Sequence, residues 1–264
     1  MRSLQTLALG LTLGLTLIGA AAPAAARDRA RQRAEPTPAW ATAEGREAAR
    51  LDLVIALLEA GRPEEALELT AQLRRDGAPP QELDVHQAEA LIDIGLLDDA
   101  EELLAAYLKR NPRDARAHNQ LGVLHMERKR LDAAVASFSD AVRHKADDPS
   151  YQNNLGFALM SAGKAAPAVD ALRASLKLDG ARAQTRNNLG FALVAAEREG
   201  EALRVFRAAG SEADAHYNVG VGLMLRGAAP EARAQFERAL ARDPSHPHAQ
   251  AALQRLGATE ESPR

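Results

Sequence analysis

Asn153-Asn154-Leu155-Gly156-Phe157-Ala158-Leu159 recurs letter for letter 34 residues later as Asn187-Asn188-Leu189-Gly190-Phe191-Ala192-Leu193. Identity at such a spacing marks a stacked array of helical units and decides the fold before any single residue is read. The Leu-Gly pair has counterparts at Leu121-Gly122 and Val219-Gly220. Twelve residues after each of these glycines stands an alanine: Ala134, Ala168, Ala202 and Ala232. Two upstream copies keep it at Ala66 and Ala100, so the six alanines step by 34, 34, 34, 34 and 30.

Each unit reads as two helices. Between Pro149 and Leu178, Leu155, Leu159 and Met160 mark a first helix at helical spacing. Gly163 ends it as a C-terminal glycine cap. Pro167 then opens a second helix, where its missing N–H costs nothing. Ala168, Leu172 and Leu176 line the inner face of that helix. Gly156 is expected to face Ala168, because two small residues let the backbones approach closely. A bulky side chain at either place would cost roughly 1–3 kcal/mol of overpacking strain.

With this pattern in place the chain resembles the tetratricopeptide repeat (TPR) family. That family has a small residue at its eighth position, matched by Gly122, Gly156, Gly190 and Gly220, and Ala at its twentieth, matched by the six alanines. Its aromatic twenty-fourth position is matched by Phe138, Phe206 and Phe236, and its Pro at the thirty-second by Pro112 and Pro244. The resemblance implies an all-α, right-handed α-solenoid of about six helix hairpins over 47–256. The units are expected at about 47–80, 81–114, 115–148, 149–182, 183–212 and 213–246, followed by a capping helix at 247–256. Val54 and Ala88 replace the small glycine in the first two units, and Lys129 and Glu197 replace the inter-helix glycine in the third and fifth. The 30-residue step removes about one helical turn, expected at the end of the helix holding Phe206.

Outside the repeats, Met1-Arg2-Ser3, an apolar run from Leu4 to Ala22 and Pro23-Ala24-Ala25-Ala26 read as a signal peptide, 1–26, cut before Arg27. An uncleaved membrane anchor is the rival reading; polar Gln5, Thr6, Thr12 and Thr16 speak against it. Both put the repeats outside the cytoplasm, in the periplasm or envelope. Residues 27–46 read as a flexible linker carrying Trp40, which is expected to dock on the first repeat, and 257–264 as a disordered tail. The net charge is −3, and losing Arg2 with the leader makes it −4, so nothing electrostatic favours nucleic acid or anionic lipid. The chain has no Cys, so no disulfide framework and no cysteine-linked lipid anchor is expected.

Function is expected on the concave surface lined by the first helices. Fifth, ninth and twelfth positions share a helical face. They hold Asn119, Val123 and Met126; Asn153, Phe157 and Met160; Asn187, Phe191 and Val194; and Tyr217, Val221 and Met224. The sixth position adds Gln120, Asn154, Asn188 and Asn218. Amides can pair with both N–H and C=O of an extended peptide, while Met and Phe accept varied side chains. These residues form the expected groove for a protein or peptide segment of the cell envelope, although Asn at the sixth position also serves structure in this family. Co-chaperone members hold a C-terminal carboxylate with Lys at the fifth and Asn at the ninth position. Here those places carry Asn or Tyr and Val or Phe, so that clamp is absent.

No nucleophilic Cys, Gly-x-Ser-x-Gly, Walker loop or His-Glu-x-x-His occurs, so neither catalysis, a cofactor nor a small-molecule substrate is expected. His118 and His125 occupy packing positions and read as core histidines rather than metal ligands. His246 and His248 flank Pro247 in a loop and read at most as an adventitious metal site. The repeated heptapeptide and Tyr217-Asn218-Val219-Gly220-Val221-Gly222 are similar to the TPR component of tight-adherence (Flp) pilus assembly. That likeness implies a scaffold for envelope machinery. A pilotin-like chaperone for an outer-membrane secretin and a self-associating module, a homodimer, are the alternatives.

Overall fold

The computed structural model describes residues 43–77 and 80–260, and among them every regular element is an α-helix. Two compact units follow one another along the chain, the first reaching Arg128 and the second starting at Lys129. In the first, α1 (Ala43–Glu59) pairs with α2 (Pro63–Arg75), α3 (Pro80–Asp93) pairs with α4 (Leu97–Arg110), and α5 (Ala115–Glu127) follows. The second opens with α6 (Leu131–His144). The pairs α7 (Pro149–Ser161) with α8 (Ala165–Leu178), α9 (Ala183–Ala195) with α10 (Glu199–Arg207), and α11 (Glu212–Arg226) with α12 (Ala229–Arg242) come next. A single helix, α13 (Pro247–Glu260), closes it. The first helices of the repeats, α1, α3, α5, α7, α9 and α11, are called A helices below, and α2, α4, α6, α8, α10 and α12 are B helices.

One turn is used again and again. Gly61, Gly95, Gly163 and Gly227 end A helices with φ between +68° and +84°. The next amide then reaches back to a carbonyl five residues earlier: Leu96 N to Leu91 O at 2.8 Å, Lys164 N to Leu159 O at 2.8 Å, Ala228 N to Leu223 O at 2.9 Å. That is the left-handed cap which satisfies carbonyls the helix leaves open. Lys129 and Glu197, which replace this glycine, take the same conformation at φ 57° and 60°. A left-handed residue with a Cβ costs about 1–2 kcal/mol, which the packing of the flanking helices offsets.

Each hairpin closes where the small residues predicted it would. A Cβ added to Gly156 would stand 2.5 Å from Leu172 Cγ and 3.3 Å from the Ala168 carbonyl oxygen. At Gly190 and Gly220 it would enter the rings of Phe206 (2.3 Å) and Phe236 (2.5 Å). Ala66, Ala100, Ala134, Ala168, Ala202 and Ala232 are all fully buried. Val54 and Ala88, which replace the small glycine, are fully buried too.

The missing turn is in α10, nine residues long against fourteen in α8 and α12. Ser211 then restarts the chain with a capping box, its hydroxyl accepting from Asp214 N at 3.0 Å and Asp214 Oδ2 accepting from Ser211 N at 3.2 Å. Two ends differ from expectation. Helix α1 begins at Ala43, inside the stretch read as linker, and α13 runs four residues past 256. Gly257 does not stop α13, because it has open space around it and no positive φ. Residues 1–42, including the leader and Trp40, and 261–264 lie outside the described residues.

Candidate partner-binding faces

In the second unit, α9 packs against both α7 and α11, so what neighbouring A helices do to one another decides which side chains remain available. Asn188 Nδ2 donates to Asn153 Oδ1 at 3.1 Å, and Asn153 Nδ2 lies 3.4 Å from Asn154 Oδ1. Asn154 is 2% exposed and Asn188 7%. These amides link one hairpin to the next rather than standing open as rungs. Val194 is fully buried, its side chain against the site of Gly222 in α11, where an added Cβ would sit 2.9 Å from Val194 Cγ1. Arg226 straps the same seam, Nη1 donating to the Val194 carbonyl at 3.0 Å and to Glu199 Oε1 at 2.9 Å.

Of the sixteen residues expected in the groove, Asn119, Gln120, Met126, Asn153, Asn154, Phe157, Asn188 and Val194 are buried. Val123, Met160, Phe191, Tyr217, Asn218, Val221 and Met224 are half-buried, and Asn187 is exposed. What the second unit presents is two rows. Asn187 and Phe191 lie one turn apart on α9; Tyr217, Val221 and Leu225 are spaced likewise on the neighbouring α11. Phe191 is propped edge-on by Phe206 at 5.3 Å between ring centroids. Leu225, which sequence reasoning missed, is 63% exposed. Position thirteen continues the stripe of nine by one turn, and that spacing was the available signal.

Tyr217 is held by rings. Phe236, His246 and His248 lie 5.8, 5.2 and 5.7 Å from it, and burial pushes its hydroxyl pKa up. His246 is not a loop ligand. It is buried, its Nδ1 accepts from Ala249 N at 3.2 Å, and its Nε2 lies 3.3 Å from Asp214 Oδ1. It therefore caps the N-terminus of α13 and ties that helix to α11. His118 Nε2 lies 3.0 Å from the Pro112 carbonyl. Among the described residues no three His, Asp or Glu side chains converge as a metal site would need.

The first unit carries a different face. His86 holds the sixth position of the second repeat, on α3, and Arg116 the second position of the third, on α5. Arg116 Nη1 lies 3.0 Å from His86 Nε2, and Nη2 donates to Glu89 Oε2 at 2.7 Å. His86 is 6% exposed and its Nδ1 has no hydrogen-bond partner. Burial first, and Arg116 second, lower its pKa to about 4, with Asp114 opposing. Asp93 is exposed at its surface, yet its pKa is raised to about 6, by partial loss of hydration first and then by Glu89 and Glu127.

The two shifts act on stability in opposite senses. Neutral His86 contributes stability present above its unfolded pKa of about 6.5, and lost as pH falls toward 4. Asp93, raised in the fold, contributes stability that is gained as pH falls through 6. His86→Gln removes only the first. Relative to the parent it is expected to gain about 1–2 kcal/mol between pH 7 and pH 4.5, read from urea midpoints at both values. An unchanged difference between the two pH values would show that His86 is not held neutral.

Paired helices of this length, closed by left-handed turns and stacked on small residues, define an all-helical repeat protein. A family model described as Tetratricopeptide repeat matches residues 86–150 and 204–247. Those residues carry tetratricopeptide repeats. Among solved structures, YrrB, a TPR protein with an unusual peptide-binding site, is similar with a TM-score of 0.55. It is 21% identical, over 70% of this chain and 97% of its own. MamA AMB-1 follows at 0.52 and 24% identity, over 61% and 95%. A chain of the APC/C hetero-tetramer Cut9-Hcn1 gives 0.58 at 17% identity, over 87% of this chain and 46% of its own. These likenesses show the fold. No curated protein matches the sequence.

Proposed function

We propose that this chain is a non-catalytic scaffold whose A-helix faces hold an extended segment of a partner protein. The observation that carries this reading is the pair of rows on α9 and α11. There, half-buried Phe191, Val221 and Met224 and the exposed Leu225 lie beside the exposed amide of Asn187. Apolar side chains left at a surface beside an amide suit a peptide, offering contact area and backbone pairing together. That YrrB, of the same fold, has a peptide-binding site supports the reading. The leader-like 1–26 and the likeness of the repeated heptapeptide to the Flp pilus component support an exported role in assembling such an envelope machine.

Site-specific photocrosslinkers at Asn187 and Leu225, with one at the exposed Arg173 on a B helix as control, test this in cells. Crosslinks to one partner segment are expected from the first two sites only. Leu225→Asp is expected to cut capture of that segment by about tenfold or more without lowering the melting temperature, because the side chain is already in water. Equal crosslinking from Arg173, or unchanged capture, would sink the reading. Genes for a secretion ATPase and a prepilin peptidase beside this one are the expected mark of the pilus role.

A further inference from the structure

We propose that a cleft between α8, α9 and α10 seats one large apolar side chain of a second protein segment, whose neighbouring residues are Asp or Glu. The cleft measures about 280 Å³ and is open on one side. Leu176, Leu189, Val205 and Ala208 give it its apolar surface. It lies where α10 stops after nine residues instead of the fourteen of α8 and α12. Leu189 is buried and Leu176 and Val205 are half-buried, so the floor is part of the packed core and is held open by it. Size decides what fits. A dry cavity of about 150 Å³ already takes up benzene, whereas sites that enclose a small molecule begin at about 300 Å³. An open cleft of this volume seats one ring or branched side chain and does not wrap a free ligand.

Charge decides what stands beside that side chain. Glu201 lines the cleft, but Arg173 Nη2 and Arg198 Nε each donate to one of its oxygens at 2.7 Å, so its charge is met. Arg186 and Arg204 line the cleft as well, and among the described residues neither pairs with a carboxylate. Arg186 Nη2 donates to the Gly180 carbonyl at 2.7 Å, which positions the guanidinium and leaves its charge unmatched. Arg204 is exposed. The surroundings add to the imbalance. From Arg173 to Arg207 seven Lys and Arg stand against four Asp and Glu, net +3, in a chain whose net charge is −3. Two unmatched guanidinium groups beside an apolar floor are the complement of carboxylates flanking one apolar residue, and their planar forks suit carboxylate oxygens. This segment is not the one proposed for α9 and α11. Peptides crosslinked from Arg173 are therefore expected to differ in sequence from those crosslinked from Asn187 and Leu225; identical peptides would overturn the proposal.

Fluorescein-labelled Ser-Glu-Glu-Phe-Glu-Glu-Ser, a form with Ser for Phe and a form with Gln for every Glu serve as probes of the full chain, read by anisotropy. The parent peptide is expected to bind about tenfold more tightly than the Ser form, because the ring is buried. It should bind about fivefold more tightly than the Gln form, since exposed ion pairs contribute less. Ala208→Phe, at an exposed position, places a ring in the cleft and should bring the parent peptide to the level of the Ser form without lowering the melting temperature. Arg204→Glu should bring it to the level of the Gln form or below. Arg238→Glu, the same charge change at an exposed position of α12, should leave binding unchanged. Equal binding of the parent and Ser forms reduces the site to an anion patch and overturns the proposal. So does an equal loss from Arg204→Glu and Arg238→Glu. Tighter binding after Trp40→Ala would make the chain's own tryptophan the occupant and overturn it too. A dimer that Ala208→Phe converts to monomer would assign the cleft to a second copy, with the same consequence. Leu225→Asp should leave the parent peptide bound as before; a loss there would move the peptide to the rows of α9 and α11 and sink this inference alone.

Discussion

Changing both Arg74 and Arg110 to Met is expected to destabilise the protein by about 3–5 kcal/mol, more than any single exposed charge could. Both guanidinium groups converge on Asp84, which is 2% exposed. Arg74 Nη2 donates to Oδ1 at 2.5 Å, and Arg110 Nη2 donates to Oδ2 at 2.8 Å. Arg74 also reaches Gln87 Oε1 at 3.1 and 2.7 Å, so it is held in place. The arginines are partly exposed and can return to water; the carboxylate cannot. Stripping both leaves a buried charge unpaired, whereas removing the carboxylate leaves two hydrated cations. Adding Asp84→Leu to the double variant is therefore expected to recover most of the loss. Urea unfolding of the three proteins checks it. A triple variant no more stable than the double one would show that shape rather than charge had been lost.

Gly190→Leu is expected to cost at least about 3 kcal/mol, while Gly200→Leu, ten residues on, is expected to stabilise by about 0.5–1 kcal/mol. Both glycines are helical. A Cβ at Gly190 would lie 2.3–2.8 Å from three ring atoms of Phe206, which is 3% exposed and cannot swing away. At Gly200 nothing lies within 4 Å, so only the helix preference of leucine is felt. Phe206→Ala combined with Gly190→Leu should cost less than the two changes added, because the new side chain fills the space the ring vacates. Strict additivity, or equal effects at the two glycines, would show that the α9–α10 contact is loose.

The hairpins were legible because each depends on a contact between residues at fixed separation: Gly156 with Leu172, Gly190 with Phe206 and Gly220 with Phe236. Even the shortened helix was visible, since four missing residues amount to about one turn. The candidate face was only half legible. Spacing of three and four says which side chains share a side of one helix, but not where the next helix crosses it. Val194 was placed in the groove because it follows Phe191 by three; Gly222 lets α11 come close enough to bury it. The Arg116–Glu89 pair of the first unit was not legible at all, because nothing in the order of the two residues shows that α3 and α5 bring them face to face. The capping role of His246 was hidden for a similar reason. A His-Pro-His run reads as loop, and only the helix that starts at Pro247 reveals the cap.

The buried amides between α7 and α9 also limit how the hairpins can slide. Leucine against leucine tolerates a shift of one helical turn, since another apolar side chain arrives where the first had been. Asn153 and Asn188 allow no such ratcheting, because a displaced neighbour would leave two carboxamides bare in a dry interior, at about 1–3 kcal/mol apiece. One polar handshake thus acts as a detent, stopping the stack at a single notch where greasy contacts alone would let it creep.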